Sequence, residues 1–353
     1  MSKKILVTGG VGYIGSHTVV ELQQSGYQVL IVDNLSNSTE KIVDQIEKIT
    51  GTRPGFTKLD LGDRTETLAY FKKHSDISGV IHFAAYKAVG ESTTVPLKYY
   101  HNNLFSLINL LEAMDEIQCN SLVFSSSCTV YGQPEELPVS ESAPVQKALS
   151  PYGNTKQISE EIIYDHSQTS ALEAISLRYF NPIGAHESAL IGELPLGVPN
   201  NLVPFITQTA MGKREMLKIW GDDYNTIDGT AIRDYIHVVD LAKAHVVALE
   251  RMHGDKKHQR YEVFNLGTGE GSTVLDVILT FQSVNGVKIN YQVAERRPGD
   301  VEKVWADTRK ANEVLGWKTE LGLDVMLKSA WEWEKKLNEG ILGDLDKFRG
   351  NIR

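Results

Sequence analysis

The chain has 353 residues, and its 45 Asp and Glu outnumber its 36 Lys and Arg, so the formal net charge is −9. That balance argues against general binding to nucleic acid or to an anionic membrane, because both require a basic surface. Two cysteines, Cys119 and Cys128, are too few for a disulfide scaffold and lack the spacing of a zinc site.

Short apolar runs alternate with helix-like stretches along the first half of the chain. Strands are predicted at residues 4–7, 27–32, 55–59, 79–83, 121–124 and 172–178. Helices are predicted at 16–25, at 99–114, and from Pro151 to about residue 168, with Ser150 as the N-cap of the third. Strands that alternate with helices predict an α/β fold with a doubly wound parallel sheet.

The composition changes between residues 184 and 204, where Gly, Pro and Asn accumulate. A long loop of this kind in a compact domain is often functional. We therefore predict a first domain at residues 1–183 and a smaller C-terminal α/β substrate domain at 184–345. The chain is expected to return to the first domain around residues 230–265, so that the two are interleaved.

A glycine-rich loop follows the first predicted strand. Gly9, Gly12 and Gly15 have the spacing GxxGxxG rather than the GxGxxG of many dehydrogenases. Such glycines permit a tight turn and a close approach to a pyrophosphate, and the following helix offers free N–H groups to phosphates. An ordinary turn between strand and helix is the simpler explanation of the loop alone.

Asp33 strengthens the nucleotide interpretation, because it ends the second strand 18 residues beyond Gly15. A carboxylate there can accept hydrogen bonds from both ribose hydroxyls of an adenosine and repels a 2′-phosphate. The next residues, Asn34-Leu-Ser-Asn37, supply no arginine for that phosphate, so a Rossmann domain that binds NAD rather than NADP is predicted. Asp60 and Leu61 follow the third strand and would flank the adenine, unless Asp60 merely ends a strand.

Tyr152 and Lys156 are four residues apart near the start of a predicted helix, so both lie on one helix face. An ammonium beside a phenol favours the phenolate, and a lowered pKa is predicted for Tyr152. The pair alone is common on helix surfaces. Here it follows Phe124-Ser-Ser-Ser-Cys-Thr129, a strand end where ligands of doubly wound sheets bind. Ser127 is then a candidate to hold a substrate hydroxyl, although a turn serine is the simpler role.

The order of these motifs is that of the extended short-chain dehydrogenases/reductases, and further segments resemble the UDP-glucose 4-epimerase family. The segments are Phe83-Ala-Ala-Tyr-Lys-Ala-Val-Gly-Glu-Ser92, Tyr99-Tyr-His-Asn-Asn103, Ser125-Ser-Ser-Cys-Thr-Val-Tyr-Gly132, Arg178-Tyr-Phe-Asn-Pro-Ile-Gly-Ala-His186, Pro199-Asn-Asn-Leu202 and Arg233-Asp-Tyr-Ile-His237. The likeness extends from about residue 4 to about residue 335.

The resemblance implies an enzyme that interconverts UDP-galactose and UDP-glucose on tightly bound NAD. Tyr152 would remove the proton of the sugar 4-hydroxyl while the C4 hydride passes to the nicotinamide. The 4-keto sugar would then turn over, and the hydride would return to its other face. Ser127 and Lys156 complete the implied catalytic set.

The resemblance also implies binding residues on matching positions. The implied cofactor contacts are Gly9, Gly12, Tyr13, Ile14, Gly15, Asp33, Asn34, Asn37, Asp60, Leu61, Phe83, Ala84, Ala85, Lys87, Asn102, Ser125, Tyr152, Lys156, Tyr179 and Pro182. The implied substrate contacts are Ser127, Tyr152, Asn181, Asn201, Leu202, Leu217, Trp220, Arg233, Arg297, Asp300 and Val304. Plain packing is the simpler role for Phe83 and Pro182, and a surface ion pair between Arg233 and Asp234 is the simpler role for that arginine.

Val304 precedes Trp305-Ala-Asp307, where the family position borders the 2-substituent of the sugar. Valine is far smaller than tyrosine, so a dual-specificity enzyme that also accepts UDP-N-acetylglucosamine is an alternative. Simple packing of Val304, with the loop at residues 192–201 closing the space, is the competing explanation.

Two further functions compete with the epimerase. A nucleotide-sugar dehydratase or decarboxylase of the same group is one, but a dehydratase needs an acid beside the catalytic serine, and Ser126, Cys128 and Thr129 are the neighbours here. A non-catalytic protein that senses NAD is the other. Such proteins typically lose the tyrosine–lysine pair, which this chain keeps.

The remaining expectations concern assembly, metals and location. The family typically forms a homodimer through the helices near residues 96–114 and 151–168, with apolar positions such as Leu104, Leu107, Leu110, Leu111, Ile158, Ile162 and Ile163. No histidine motif predicts a metal site, and the glycines of residues 265–271 are interpreted as structural, with Ser272 as a helix cap. No signal peptide or membrane span is recognised, so a cytoplasmic location is expected.

Overall fold

The computed structural model describes residues 3–195, 197–254, 258–297 and 301–343. In chain order the strands are β1 (Lys4–Thr8), β2 (Gln28–Asp33), β3 (Gly55–Lys58), β4 (Ile77–His82), β5 (Ser121–Ser125), β6 (Glu173–Tyr179), β7 (Asn181–Ile183), β8 (Leu217–Trp220), β9 (Ile232–Arg233), β10 (Tyr235–His237), β11 (Tyr261–Leu266), β12 (Ser272–Thr273), β13 (Tyr291–Ala294) and β14 (Lys303–Val304). The α-helices are α1 (Tyr13–Gln24), α2 (Lys41–Thr50), α3 (Arg64–Lys73), α4 (Val89–Thr94), α5 (Pro96–Glu116), α6 (Pro151–Thr169), α7 (Leu202–Ala210), α8 (Val238–His253), α9 (Val274–Asn285) and α10 (Leu323–Asn338).

Seven strands form a central parallel sheet in the order β11-β6-β5-β4-β1-β2-β3. The chain runs outward from β1 through β2 to β3, and then crosses to β4 on the other side of β1. Ligands of such sheets bind outside the carboxyl ends of the strands, where the direction of winding reverses. The topology therefore places the site beside the ends of β1 and β4, and it confirms the predicted doubly wound fold.

Successive residues of β1 face opposite sides of the sheet, as the period of a strand requires. Ile5 and Val7 belong to a core that also contains residues of α1, α2 and α8, whereas Leu6 belongs to a second core with residues of α3 and α5. Helices therefore cover both faces of the sheet. This explains why its strands are nearly continuous apolar runs.

The predicted elements of this sheet and its helices are all present, and their ends differ by at most three residues. The largest differences are at helix starts. The α1 helix begins at Tyr13, with Gly12 as its N-cap, so the glycine loop itself supplies the first turn. The α5 helix begins at Pro96, a residue whose fixed φ suits the first helical position. Ser150 caps α6 as predicted, because its Oγ accepts from the Gly153 N–H at 3.1 Å.

The α5 helix has an inner and an outer face. Leu107, Leu110 and Leu111 are buried in the sheet core, as is Ile163 of α6, so these positions serve the core rather than an intersubunit contact. The outer face carries Leu97, Phe105 and Ile108, which are exposed.

The C-terminal elements form a smaller apolar core of their own. It contains Ile219 of β8, Phe281 of α9 and Met326 of α10, among others. The β8 strand pairs in parallel with β13, and β9 lies between β12 and β14. Within the described residues, the helices are all too short or too polar to cross a membrane.

Candidate active site

One cleft follows the carboxyl ends of the central strands, where the topology predicts the site. Counted with its open mouth, this cleft holds about 1340 Å³ of empty space. Every position implied as a cofactor contact lines it, and so do Ser127, Asn181 and Asn201. Residues that are 170 positions apart in the sequence are thus brought together.

Sequence reasoning missed other residues of the cleft wall. They are Val32, Ser36, Leu59, Tyr86, Ser106 and Phe180. Val32, Leu59 and Phe180 each directly precede a residue that was identified, so their position at a strand end was the available signal. Ser106 carried no motif signal.

The glycine loop brings backbone close to backbone. Gly9 has φ +68°, and a Cβ there would lie 2.9 Å from the amide N of Ala84 after β4. A Cβ on Gly15 would lie 2.3 Å from the Gly9 carbonyl oxygen, which larger residues cannot tolerate. Gly12 caps α1 without a side chain. The first N–H groups of α1 therefore lack a side-chain cap and suit a phosphate.

Asp33 lies at the end of β2 and is buried. Its Oδ1 accepts from the Leu35 N–H and from Ser38 Oγ, both at 2.9 Å. Burial raises the pKa of this carboxyl, while those hydrogen bonds oppose the rise. One side of the carboxylate is thus fixed by the loop that follows the strand.

Ser127, Tyr152 and Lys156 meet at the end of β5. All three are buried, with Lys156 only 4% exposed. Lys156 Nζ donates to the Ser125 carbonyl at 2.6 Å, and Ser127 lies near enough to Tyr152 to lower the pKa of its phenol. The helix α6 and the hydroxyl-rich strand end therefore come together as the sequence predicted.

The prediction that the pKa of Tyr152 is lowered is wrong. Burial raises the pKa of Tyr152 well above its usual value, and the nearby Tyr179 raises it further, although the Ser127 hydroxyl opposes this rise. Burial also lowers the pKa of Lys156 to about 8, against the attraction of Glu160. The spacing does place both side chains on one face of α6. The effect of burial on the pKa of Tyr152, however, is larger than that of the Lys156 ammonium one helical turn away.

The implied substrate residues divide into two sets. Leu202, Leu217, Trp220, Arg233, Arg297 and Val304 do not line the described cleft, and Asp300 lies outside the described residues. The Arg297 guanidinium lies 5.6 Å from the centre of the Trp220 ring at the end of β8. Arg233 of β9 is paired with Val304 of β14. These four residues thus form two pairs, Trp220 with Arg297 and Arg233 with Val304.

Val304 packs in a buried cluster with Tyr131 and Phe180. Phe180 lines the cleft, so this cluster reaches the cleft wall. A larger residue at position 304 would have to displace this cluster or enter the cleft.

The second glycine segment surrounds Asp234. Its carboxylate is fully buried and accepts from the N–H groups of Thr268, Gly269 and Ala306 and from Thr268 Oγ1. A Cβ on Gly267 would lie 2.2 Å from that carboxylate. The structural interpretation of residues 265–271 is confirmed, and a surface ion pair between Arg233 and Asp234 is excluded. Thr273, rather than Ser272, caps α9.

Among the residues that the structure describes, no three His, Cys, Asp or Glu side chains are grouped as metal ligands would be.

Comparisons with known proteins agree with this geometry. Residues 6–330 match a family model described as GDP-mannose 4,6 dehydratase. The UDP-glucose 4-epimerase of Bacillus subtilis (strain 168) is 49% identical over 331 residues, which cover 94% of this chain and 96% of the relative. Two solved structures are also similar to this chain in sequence and in fold.

One is the UDP-glucose 4-epimerase of Stenotrophomonas maltophila with bound NAD and formylated UDP-arabinopyranose. It has a TM-score of 0.92 and 46% identity, and the match covers 96% of this chain and 99% of that one. Another is the Bifidobacterium longum enzyme in complex with NAD+ and UDP. Its TM-score is 0.90 and its identity 44%, with 96% and 100% of the two chains covered.

Proposed function

The chain belongs to the UDP-glucose 4-epimerase family of the extended short-chain dehydrogenases/reductases, and from that premise we propose how its residues perform the reaction. It is an NAD-dependent isomerase that interconverts UDP-galactose and UDP-glucose. One observation carries the proposal: Ser127, Tyr152 and Lys156 open into the same cleft as the glycine loop and Asp33. A base and the binding site of an oxidant therefore share one cavity.

The cleft fits NAD on the evidence of its backbone. The uncapped start of α1 and the crowding around Gly9 and Gly15 suit a pyrophosphate, and Asp33 suits the adenosine ribose. Bound NAD supplies the hydride acceptor and, when oxidised, a positively charged ring. The other implied cofactor contacts complete this wall, within a unit that we assign to residues 1–183 and to the chain returning at 230–265.

Ser127 holds the sugar 4-hydroxyl, and Tyr152 accepts the proton of that hydroxyl. Because burial raises the pKa of Tyr152, its phenolate needs a cation. Lys156 is that cation, and one of its N–H groups donates to the Ser125 carbonyl at 2.6 Å. An ammonium has three donors, so two remain for bound ligands.

The uridine diphosphate contacts the two pairs Trp220 with Arg297 and Arg233 with Val304. The Arg297 guanidinium lies 5.6 Å from the centre of the Trp220 ring, a pair of side chains that suits a phosphate and a uracil face. The charge of Arg233 acts on Cys128, the residue after the catalytic serine, and lowers the pKa of its thiol against the rise caused by burial. Asn181, Asn201, Leu202, Leu217 and Asp300 are assigned to the same substrate.

The test is incubation of the purified protein with UDP-galactose and no added NAD. We expect UDP-glucose of unchanged mass as the product. A product lighter by one water would instead identify a dehydratase, and no product would contradict the assignment.

Acceptance of N-acetylated sugars is a second candidate function, favoured by the small side chain of Val304 in the cluster with Phe180. Val304→Tyr should overfill this cluster and push a ring toward the sugar. We expect kcat/KM to fall by more than about tenfold for UDP-N-acetylgalactosamine and less for UDP-galactose. Equal losses for both sugars, or no wild-type activity on the acetylated one, would refute this steric gate.

A homodimer is proposed through the outer face of α5. Phe105 is 52% exposed and Ile108 40% exposed, although both are large and apolar. An isologous contact would cover them. Light scattering at micromolar concentration should give the mass of two chains.

Replacing both Phe105 and Ile108 by Glu should yield a monomer, because two carboxylates would be desolvated at the contact. The matched control is Leu279→Glu on α9, which also replaces an exposed apolar residue. A monomeric wild type, or a double variant that stays dimeric, would contradict this surface.

A cytoplasmic location completes the proposal. Cys119 and Cys128 are both free, and burial raises the pKa of each thiol. Unreactive free thiols fit a reducing compartment.

A further inference from the structure

The loop at residues 221–230 lies between two residues assigned to the uridine diphosphate. Trp220, the last residue of β8, directly precedes the loop, and Arg233 of β9 follows it by three residues. Gly221 donates its N–H to the Ala294 carbonyl at 2.8 Å. The start of the loop is therefore fixed to the end of β13.

Arg296 lies two residues beyond β13, and this loop binds its side chain. The Arg296 Nε donates to Asp223 Oδ1 at 2.6 Å, and its Nη2 donates to the Asp223 carbonyl at 2.5 Å. The guanidinium also lies 4.0 Å from the centre of the Tyr224 ring. Three contacts thus hold Arg296 against the loop, although its side chain is 43% exposed.

Gly221 allows the two chain segments to approach each other closely. It has φ +84°, and a Cβ there would lie 2.7 Å from Tyr224 Cε2 and 2.8 Å from Arg296 Cγ. Trp220 directly precedes this glycine, and Arg297 directly follows this arginine. The contact between Gly221, Tyr224 and Arg296 therefore sets the distance between the segments that carry the Trp220 ring and the Arg297 guanidinium.

The Tyr224 ring is the main support of Arg296. The carboxylate of Asp223 is 71% exposed, and an ion pair that solvent screens contributes little. Tyr224 by contrast is buried, and its hydroxyl has no hydrogen-bond partner within the described residues. The contribution of Tyr224 therefore comes from its ring, whose face attracts the guanidinium.

We propose that Arg296 is a positioning residue: held by Asp223 and Tyr224, it fixes the adjacent Arg297 beside Trp220, so that the site for the uridine diphosphate is formed before the ligand binds. A site that is formed in advance avoids the entropy cost of ordering its side chains on binding. This inference rests on the proposed function, which assigns Arg297 and Trp220 to that ligand. Arg296 itself does not line the described cleft, so its effect is on binding rather than on the chemical step.

The test measures the Kd of UDP for the NAD-loaded protein by calorimetry, because UDP has no sugar to be turned over. Loss of a charge-assisted hydrogen bond between Arg297 and phosphate corresponds to about a tenfold weaker Kd. We expect that loss for Arg296→Ala and for Tyr224→Leu. Tyr224→Phe keeps the ring and should leave the Kd within about twofold, because the hydroxyl that it removes makes no hydrogen bond in the described chain.

Two further variants distinguish positioning from a direct attraction between Arg296 and the diphosphate. A direct attraction predicts tighter binding in Asp223→Ala, which removes a negative charge and frees the guanidinium. Positioning predicts binding that is weaker by about threefold, because only the exposed ion pair is lost. If Arg296 acts through Arg297, the Arg296→Ala/Arg297→Ala double variant should bind UDP no more weakly than Arg297→Ala alone.

Arg53→Ala is the matched control, since this arginine is 48% exposed and is also paired with carboxylates, those of Asp44 and Glu47. Its removal should leave the Kd of UDP unchanged. In the active enzyme, Arg296→Ala should raise KM for UDP-galactose by about tenfold and leave kcat within about threefold, with the NAD content of the protein unchanged.

An unchanged Kd in Arg296→Ala, tighter binding in Asp223→Ala, or losses that multiply in the double variant would overturn the inference while wild-type epimerisation stands. If Tyr224→Leu does not fold, Arg296→Ala still tests the inference, because it changes an exposed side chain. A wild type that does not interconvert the two sugars fails the proposed function, and the inference with it; this activity is measured separately.

Discussion

Replacing Tyr152 by Phe should lower kcat for epimerisation by about 10³-fold or more. A positioned general base contributes ~10²–10⁴ in rate, and here proton removal is coupled to hydride transfer. Phenylalanine keeps the ring that is buried against Ser127 and Tyr179. The variant should therefore fold and retain about one NAD per chain, as one binding site predicts. The measurement is kcat with UDP-galactose, alongside the NAD released on denaturation.

The control for this variant is Tyr164→Phe, which removes an exposed hydroxyl from the same helix. It should leave kcat unchanged. If Tyr152→Phe turns over within about tenfold of wild type, another group is the base, and the roles assigned here are wrong.

Lys156→Met should lower activity by a comparable factor of ~10² or more, because the Tyr152 phenolate loses its cation. The same change should alter how stability depends on pH. Burial lowers the pKa of Lys156 from 10.5 to about 8. The folded protein therefore binds this proton less tightly than the unfolded chain, and the buried ammonium costs of the order of 1–3 kcal/mol below pH 8.

That cost fades as the pH rises from 8 toward 10.5, where the unfolded chain loses the proton too. Methionine removes the cost at every pH. Relative to wild type, Lys156→Met should thus be more stable at pH 7 than at pH 9.5, in urea unfolding with saturating NAD. A difference that is independent of pH would show that Lys156 is not a buried ammonium. The exposed Lys147→Met is the matched control.

Local patterns predicted those parts of the site that are continuous in sequence. Gly9 to Gly15, Asp33, and the pair Tyr152 and Lys156 each depend on spacing within a few residues. Parallel topology then brings the corresponding strand ends together. The fold class followed from the alternation of strands and helices, and the remaining cofactor contacts were implied by the family resemblance.

The electrostatics of the site did not follow from spacing. The pKa of Tyr152, in α6, depends on burial and on Tyr179, which lies at the end of β6. Only the packed structure reveals that desolvation changes the pKa of Tyr152 more than Lys156 does. A motif gives the identity of a base but not its pKa.

The sequence also did not predict the contacts that the long loop makes with distant residues. Glu193 meets Lys87 across 106 residues, and it has no periodic pattern or motif to mark it. A surface ion pair with Arg233 was the simpler prediction for Asp234. In the structure the Asp234 carboxylate lies inside the turn of residues 267–269 instead. Such residues act through backbone geometry, which composition does not encode.

The central claim is that the hydrogen on C4 leaves as hydride and returns to the opposite face within one cleft. UDP-galactose carrying deuterium at C4 tests it most directly, with purified protein in ordinary water and no added NAD. The account predicts UDP-glucose that keeps its deuterium at C4, because the hydride never exchanges with solvent. UDP-glucose that has lost the deuterium, or conversion that requires added NAD, would contradict it.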